Sequence, residues 1–383
     1  MKQFLAVLLA VMMLLALCAC SPAQEGAGDA STPSTLDAVP SGSGDQVSSS
    51  GDLVTPSLTA SSGDLAPVAP MPASNGDLTA VDGSGKTLAL VVAGNFGDRS
   101  FYDSSKEGAD RLVQDTGIQL KTIACNNESH TQQIYNAADT ADIVVLVGWE
   151  FYEVETVAPE YPDTAFIWID NATSAPVPNV LNITYAQNEG SFLAGYIAAK
   201  MSKTGVIGAV GGEDTDTIND FIVGYEQGAK YANDSIQVVR KYAGTYDDPA
   251  VGKECALLLN EQKADVIFQI ASKTGDGVFE AAREKNFYAI GVDSDQKYIA
   301  DDVIICSMKK EVGDSIYQAV SEYLSGNTAK WGTTWVADMT SGFISIGYGE
   351  EGSQQQVPDS LKAEVEQLTK DITSGQIKVD TTR

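Results

Sequence analysis

Leu88-Ala-Leu-Val-Val-Ala93, followed a few residues on by Gly97-Asp98-Arg99-Ser100-Phe101-Tyr102-Asp103-Ser104-Ser105-Lys106-Glu107-Gly108, is the stretch that decides the fold. An apolar run of strand length breaks at glycines, and a helical pattern starts among Tyr102, Asp103 and Ser104. The polar turn between them therefore belongs at the carboxyl end of a buried strand, which in an open α/β sheet is where ligands bind. The turn supplies one aromatic face, Phe101, and one carboxylate, Asp98. A carboxylate repels an anion, so the two suit a flat, hydroxylated, uncharged small molecule better than a phosphate.

Outward from this turn, strand-like runs alternate with helical ones. The strand candidates are Leu88 to Ala93, Leu120 to Ala124, Ile143 to Val147, Ala165 to Ile169, Val206 to Val210, Val238 to Tyr242, Val266 to Ile270, Ala289 to Val292 and Val303 to Cys306. Helical patterns fall between them, among them Ser191 to Met201, Asn219 to Tyr231, Asp248 to Asn260, Gly277 to Glu284 and Val312 to Leu324. That order predicts an α/β protein with parallel sheets and right-handed crossovers. Continuous apolarity along most strands says that both sheet faces are covered. The tail adds a strand pair around Thr334 to Ile346 and a helix from about Ser360 to Ile372, opened by Pro358-Asp-Ser.

The amino-terminal part reads differently. Lys2 and an apolar core from Phe4 to Leu17 make residues 1–19 a secretory signal, too short in its apolar core to span a bilayer comfortably. Leu17-Cys18-Ala19-Cys20 resembles a bacterial lipobox, and Cys20, which follows the small Ala19, is the candidate for lipidation. Residues 20–86 are rich in Ser, Gly, Pro, Ala and Asp, with Ser50-Gly-Asp-Leu53 recurring as Ser62-Gly-Asp-Leu65. Such a segment cannot bury enough apolar surface to offset chain entropy, so it is expected to be a disordered tether. A flexible tether of that length would hold a domain on the order of 45 Å from its anchor.

Composition removes several function classes. The formal net charge of −28 argues against nucleic acid and against docking to an anionic membrane through basic patches. Beyond the leader, Cys125, Cys255 and Cys306 are widely separated and form neither a disulfide framework nor a CxxC zinc motif. The single histidine, His130, stands at a helix start as a solvated residue, so a Ser-His-acid triad is not expected. Lys273-Thr-Gly275 and Ser307-Met-Lys-Lys310 resemble motifs of penicillin-interacting enzymes but occur in the wrong chain order, with no Ser-Asp-Asn between them.

Polar residues collect at the strand ends: Gly148-Trp149-Glu150, Asp170-Asn171, Gly211-Gly212-Glu213-Asp214, Phe268-Gln269 and Gly291-Val-Asp-Ser-Asp-Gln296. With Gly97-Asp98-Arg-Ser-Phe101, Glu189-Gly-Ser-Phe-Leu-Ala-Gly195 and Ser307-Met308-Lys309-Lys310, these segments resemble, in order and spacing, the basic membrane protein family. These are lipoprotein solute-binding proteins of ABC importers and include purine nucleoside receptors. The resemblance covers roughly Thr87 to Leu324. It implies a type I periplasmic-binding-protein fold, with two doubly wound parallel-sheet lobes, three crossing segments and a ligand in the cleft. On that plan lobe one comprises residues 87–182 and 303–326, lobe two 183–302, and a tail, 327–383, returns across the cleft.

The resemblance also assigns roles. Phe101 and Phe268 match the aromatics that sandwich a purine, and a stacked base is worth about 1 to 3 kcal/mol per aromatic in nucleic-acid analogues. Asp293 matches the acid that accepts from ribose hydroxyls, Lys309 lies in the segment whose lysine reaches the sugar, and Asp98 and Asp170 match acids near the base. A neutral nucleoside offers π faces and hydroxyl donors, which rings and ionised acceptors can use. Tyr102, where the family has Asn, and Trp149-Glu150, where it has Phe-containing text, depart from the pattern in the lobe expected to read the base. The resemblance implies a monomer with no cofactor, no catalytic residue and no metal, held at the outer face of the cell membrane by lipid. Its partners would be the permease and ATPase subunits of an importer. A sensory receptor lipoprotein for a ring-bearing solute has the same ligand chemistry and stands as the alternative.

Overall fold

The computed structural model describes residues 81–126 and 128–382; the signal segment, Cys20 and the linker up to residue 80 lie outside the described residues. The opening apolar run forms strand β1 (Thr87–Val92), whose last five residues are buried. Helix α1 (Phe101–Thr116) starts at Phe101 and stops at Gly117, whose φ of 73° gives the left-handed turn that ends it. Between them the chain makes the expected polar turn at the strand's carboxyl end.

Alternation continues through β2 (Gln119–Ala124), α2 (His130–Ala138), β3 (Ile143–Val147), β4 (Ala165–Ile169) and β5 (Val180–Tyr185). These strands form the first sheet, in the order β2-β1-β3-β4-β5, all parallel. The second half repeats the scheme with α3 (Gln187–Met201), β6 (Val206–Gly211), α4 (Asp216–Ala232), β7 (Gln237–Tyr242), α5 (Pro249–Glu261), β8 (Val266–Ile270), α6 (Asp276–Lys285), β9 (Tyr288–Asp293) and β10 (Ile304–Lys310). Its sheet runs β7-β6-β8-β9-β10, again parallel. The continuous apolar strands are covered on both faces: β3 and β8 are buried at every residue. Each Leu, Ile or Phe buried this way contributes about 1.5 to 3 kcal/mol.

The ends of the chain correct the expected lobe boundaries. The strand read from residue 303 joins the second sheet beside β9, so the return to lobe one begins with α7 (Val312–Leu324), which packs on α1. The expected break after residue 182 falls inside β5, a strand that continues to Tyr185. The tail strands β11 (Thr334–Ala337) and β12 (Ile344–Gly347) do not pair with each other. β11 adds parallel to β5 in the first sheet, and β12 adds antiparallel to β10 in the second. Helix α8 (Asp359–Thr373) then packs on α3.

Three segments therefore cross between the lobes: β5 to α3, β10 to α7, and β11 to β12. They are tied side by side. Ala186 N–H donates to the Ala337 carbonyl at 3.0 Å, Glu311 N–H to the Phe343 carbonyl at 2.9 Å, and Met339 N–H to Glu189 Oε2 at 2.9 Å.

Two glycine contacts set the helix spacing. A Cβ on Gly228 of α4 would stand 1.8 Å from the Phe192 carbonyl of α3, and one on Gly108 of α1 would stand 2.1 Å from the Gly313 carbonyl of α7. Cys125, Cys255 and Cys306 are free and buried. His130 opens α2 but is half-buried, its ring set edge-on to Phe151 at 5.2 Å.

Candidate functional site

Each sheet reverses its strand order between its first and third strands, at β1/β3 and at β6/β8. Ligands bind outside the carboxyl ends at such switch points. Both sets of carboxyl ends open on one cavity between the lobes, lined by aromatic rings and a few charged groups as small-molecule sites are. Lobe one supplies Phe101 and Tyr102 from the start of α1, Gly148, Trp149 and Glu150 after β3, and Asp170 after β4. Lobe two supplies Thr215, Ile218 and Phe221 from the start of α4, Tyr246 after β7, Ile270 and Ser272 around the end of β8, and Val292 and Asp293 at the end of β9. Lys310 enters from the last position of β10, at a crossing segment.

The floor is a charged network. Lys310 Nζ donates to both oxygens of Asp170 at 2.6 Å, and the ammonium lies over the rings of Phe101, Tyr185 and Phe221 at 4.9, 4.8 and 5.5 Å. All of these partners are needed, because a buried ammonium without a counter-ion would carry a large desolvation cost. Asp293 Oδ2 accepts from Ser100 Oγ of lobe one at 2.6 Å. Burial raises its carboxyl to about 6, a rise that the Lys310 charge and the Ser100 hydroxyl oppose and the Asp170 and Asp98 charges add to. Asp170 and Asp293 both have positive φ, 73° and 62°, which turns the chain sharply where each strand meets the cavity.

The turn before α1 fastens one lobe to the other. Asp98 accepts from the backbone N–H groups of Ser100, Tyr102 and Asp103 at 3.0–3.1 Å, which caps the first turn of α1. The same carboxylate accepts from Ser272 Oγ of lobe two at 2.7 Å. Burial raises its pKa and these donors hold it back. Gln296 Nε2 donates to the Arg99 carbonyl at 3.1 Å, while Gln296 Oε1 accepts from the Val292 N–H and from Gln269 Nε2. Outside, the Arg99 guanidinium pairs with Asp276 at the start of α6. Residues 98–100 thus bond to lobe two through Ser272, Gln296, Asp276, Asp293 and the Val292 carbonyl, and the lobes are closed on the cavity.

Another part of the lining is formed by the departures noted in the sequence. The Trp168 indole N–H donates to the Gly148 carbonyl at 2.8 Å and Asn171 Nδ2 to the Trp149 carbonyl at 3.4 Å, so the 148–150 turn is braced from β4. Trp149 and Glu150 both line the cavity; Trp149 is partly exposed, while Glu150 Oε2 is buried. Burial raises the Glu150 carboxyl to about 7, with its own backbone N–H pulling the other way and the charges of Glu213 and Asp170 adding to the rise. Burial and then the Glu150 charge push the Tyr102 phenol well above its ordinary value.

Of the residues singled out from the sequence, Phe101, Tyr102, Trp149, Asp170 and Asp293 line the cavity. Three others stand elsewhere. Phe268, in the middle of β8, is fully buried with its ring against Tyr225 and Phe221 at 5.4 and 6.4 Å, so it backs the wall instead of facing the solute. Lys309 points away and pairs with Glu311 at 2.5 Å; its neighbour Lys310 is the cavity lysine. Asp98 is spent on the α1 cap and the Ser272 bond. Sequence reading missed Phe221, Glu150 as a buried acid, Tyr246 and Ser100. The one signal for Phe221 was its place in the first turns of a helix that follows a Gly-Gly strand end.

A cleft between two doubly wound lobes, closed over rings and fixed acids with three hinge segments beside it, defines a solute-binding protein of the type I periplasmic-binding fold. Among known proteins, residues 86–381 match the family described as ABC transporter substrate-binding protein PnrA-like, and the chain belongs to that family, Bmp. It is 33% identical over 298 residues to basic membrane protein A2 of Borrelia garinii subsp. bavariensis, covering 76% of this chain and 87% of that one. Its identity to basic membrane protein C of Borreliella burgdorferi is 33% over 317 residues, covering 77% and 89%. A crystal structure of ABC transporter system solute-binding proteins from Aeropyrum pernix K1 superposes with a TM-score of 0.70 at 26% identity, covering 78% of this chain and 94% of that one.

Proposed function

We propose that this protein captures a nucleoside, a purine nucleoside first, outside the cytoplasm and delivers it to an ABC importer while lipid on Cys20 holds it to the membrane. The observation that carries the reading is that the cavity takes one aromatic ring from each lobe, Phe101 and Phe221, above a floor of ionised groups, Asp170, Asp293 and Lys310. The reading stacks a base on these rings, one from each lobe. The sugar hydroxyls fit acceptors such as Asp293, which is within reach of Ser100 from the other lobe. Phe221 takes the stacking role that the resemblance assigned to Phe268, and Lys310 the sugar-side role assigned to Lys309. The work is capture and not catalysis: ligand bridges the lobes, the turn at residues 98–100 clasps lobe two, and the closed form is what a permease recognises.

The test is thermal unfolding and calorimetry of the full chain with purine and pyrimidine nucleosides, free bases, ribose and unrelated sugars. A true ligand at a hundredfold its dissociation constant adds about 2.7 kcal/mol of stability. Binding of nucleosides, with neither bases nor ribose matching them, supports the reading; binding of a sugar in preference to every nucleoside overturns it. For anchoring, Cys20→Ala should release the chain from the membrane fraction of the cells that make it.

A further inference from the structure

The cavity lining contains an acceptor that the protein leaves unpartnered. Glu150 Oε2 is buried and accepts no hydrogen bond, and it is the one such side-chain oxygen among the described residues that line the cavity. Its neighbours are otherwise occupied: Asp170 is held through both oxygens by Lys310, and Asp293 through one by Ser100. Tyr102 and Tyr246 stand near enough for the Glu150 charge to raise both phenols, yet Oε2 accepts from neither. The carboxyl is not swinging freely in a roomy pocket. A Cβ on Gly148 would lie 2.4 Å from Oε2, so the missing side chain at Gly148 makes the niche, and the Trp168 and Asn171 bonds fix the turn that carries it.

Two other carboxyl oxygens among the described residues, Glu153 Oε2 and Asp276 Oδ1, also lack a donor, but of the three only Glu150 belongs to the cavity lining, where a partner from outside can supply one. The carboxylate takes its own backbone N–H but an oxygen has two lone pairs, so the two oxygens can still meet an edge with two N–H groups side by side. Resting on the nucleoside reading above, we infer that Glu150 is the base-reading residue and selects a guanine-type ring, whose N1–H and 2-amino group donate to it. The ring's faces are then left for Phe101 and Phe221, and its sugar points toward Asp293 and Lys310. A hypoxanthine ring keeps one of the two donors and an adenine ring lacks the N1–H, which leaves the buried oxygen less well satisfied; sites built for a donor reject analogues without it.

The test is calorimetry of the full chain at pH 8 with guanosine, inosine and adenosine, repeated with Glu150→Gln. The expected order is guanosine, then inosine, then adenosine, with guanosine ahead of adenosine by at least about tenfold. Glu150→Gln should weaken guanosine by at least about tenfold and adenosine by less than about threefold. The order of the unmodified protein needs no variant, so it stands even if the substitution misfolds. Nucleosides bound with no preference for guanosine, or guanosine bound equally by the variant, overturn this inference and leave the nucleoside reading in place. Failure of every nucleoside overturns both.

Discussion

Lys310 Nζ, on the last residue of the second sheet's β10, stands 2.6 Å from each carboxylate oxygen of Asp170, the residue after β4 in the first sheet. Both side chains are almost entirely buried. The pair joins the lobes beside a crossing segment, and its ammonium also touches ring faces from both lobes, Phe101 and Phe221. Stacking surface and charged floor are therefore one assembly.

That assembly predicts an asymmetric response to mutation. Lys310→Met leaves the Asp170 carboxylate buried without its counter-ion and should cost about 3 to 5 kcal/mol of stability. Adding Asp170→Asn should recover part of the loss, because the carboxylate that Lys310 held through both oxygens is then neutral, while the buried Asp293 still misses the Lys310 charge. Urea unfolding of the two variants and the parent measures this. A single variant as stable as the parent would mean that water reaches Asp170.

The three phenylalanines should separate cleanly. Phe101→Ala and Phe221→Ala remove a ring that faces the cavity and should weaken nucleoside binding by about 1 to 3 kcal/mol each. Phe268→Ala removes a ring enclosed by Tyr225 and Phe221. It should lower stability by about 3 to 5 kcal/mol while the loss of affinity stays smaller than for the other two. Calorimetry and unfolding on the same preparations distinguish a wall residue from a backing residue. Affinity lost mainly at Phe268 would restore the sandwich read from the sequence.

Asp98 offers a third contrast, between a base-reading acid and a clasp. Its carboxylate takes three backbone N–H groups at the head of α1 and the Ser272 hydroxyl across the cleft. Asp98→Ala should therefore destabilise the fold by about 1 to 2 kcal/mol through the lost cap and weaken all ligands by a common factor through looser closure. Selectivity among bases should not move. A change in base preference measured by competition would assign Asp98 to the base after all.

The alternation of strand and helix was legible because the central strands, such as β3 and β8, are buried on both faces and so read as unbroken apolar runs, while the edge strands β2 and β7 kept enough of the pattern to be placed between helices. β5 escaped because Asn182 and Thr184 interrupt it; the fold buries that polarity by pairing Asn182 Nδ2 with Thr173 Oγ1 at 3.0 Å. The β11 and β12 segments look like a hairpin, since closeness in sequence cannot distinguish a turn from a crossing. At the site, the strand ends were visible as acids and glycines after apolar runs, but side-chain direction was not. Lys309 and Lys310 are adjacent on one strand and point to opposite faces. Phe221 lies among Ile218, Ile222 and Tyr225 on the buried face of α4, where an aromatic looks like core. Only the meeting of two lobes gives it a cavity to face.

The unliganded protein should lose stability as the pH rises through the weakly acidic range. Burial raises Glu150 from 4.5 to about 7 and Asp293 from 3.8 to about 6. A carboxyl whose folded value lies above its unfolded value holds its proton more tightly in the folded chain. Between those values the unfolded chain carries fewer protons, and the slope of stability against pH is negative. The penalty is therefore absent below about pH 4, near the unfolded values, and complete above the folded ones. The groups facing Glu150 reinforce this sign: Glu213 and Asp170 are acidic, and the Tyr102 and Tyr246 phenols and the Cys125 thiol are themselves raised and stay neutral. Glu150→Gln removes the larger contribution. Urea unfolding of parent and variant from pH 4.5 to pH 8 should show the variant gaining on the parent by about 3 kcal/mol across that window. A difference that stays flat with pH would mean that Glu150 is solvated, and the open acceptor in the cavity would then be open to water.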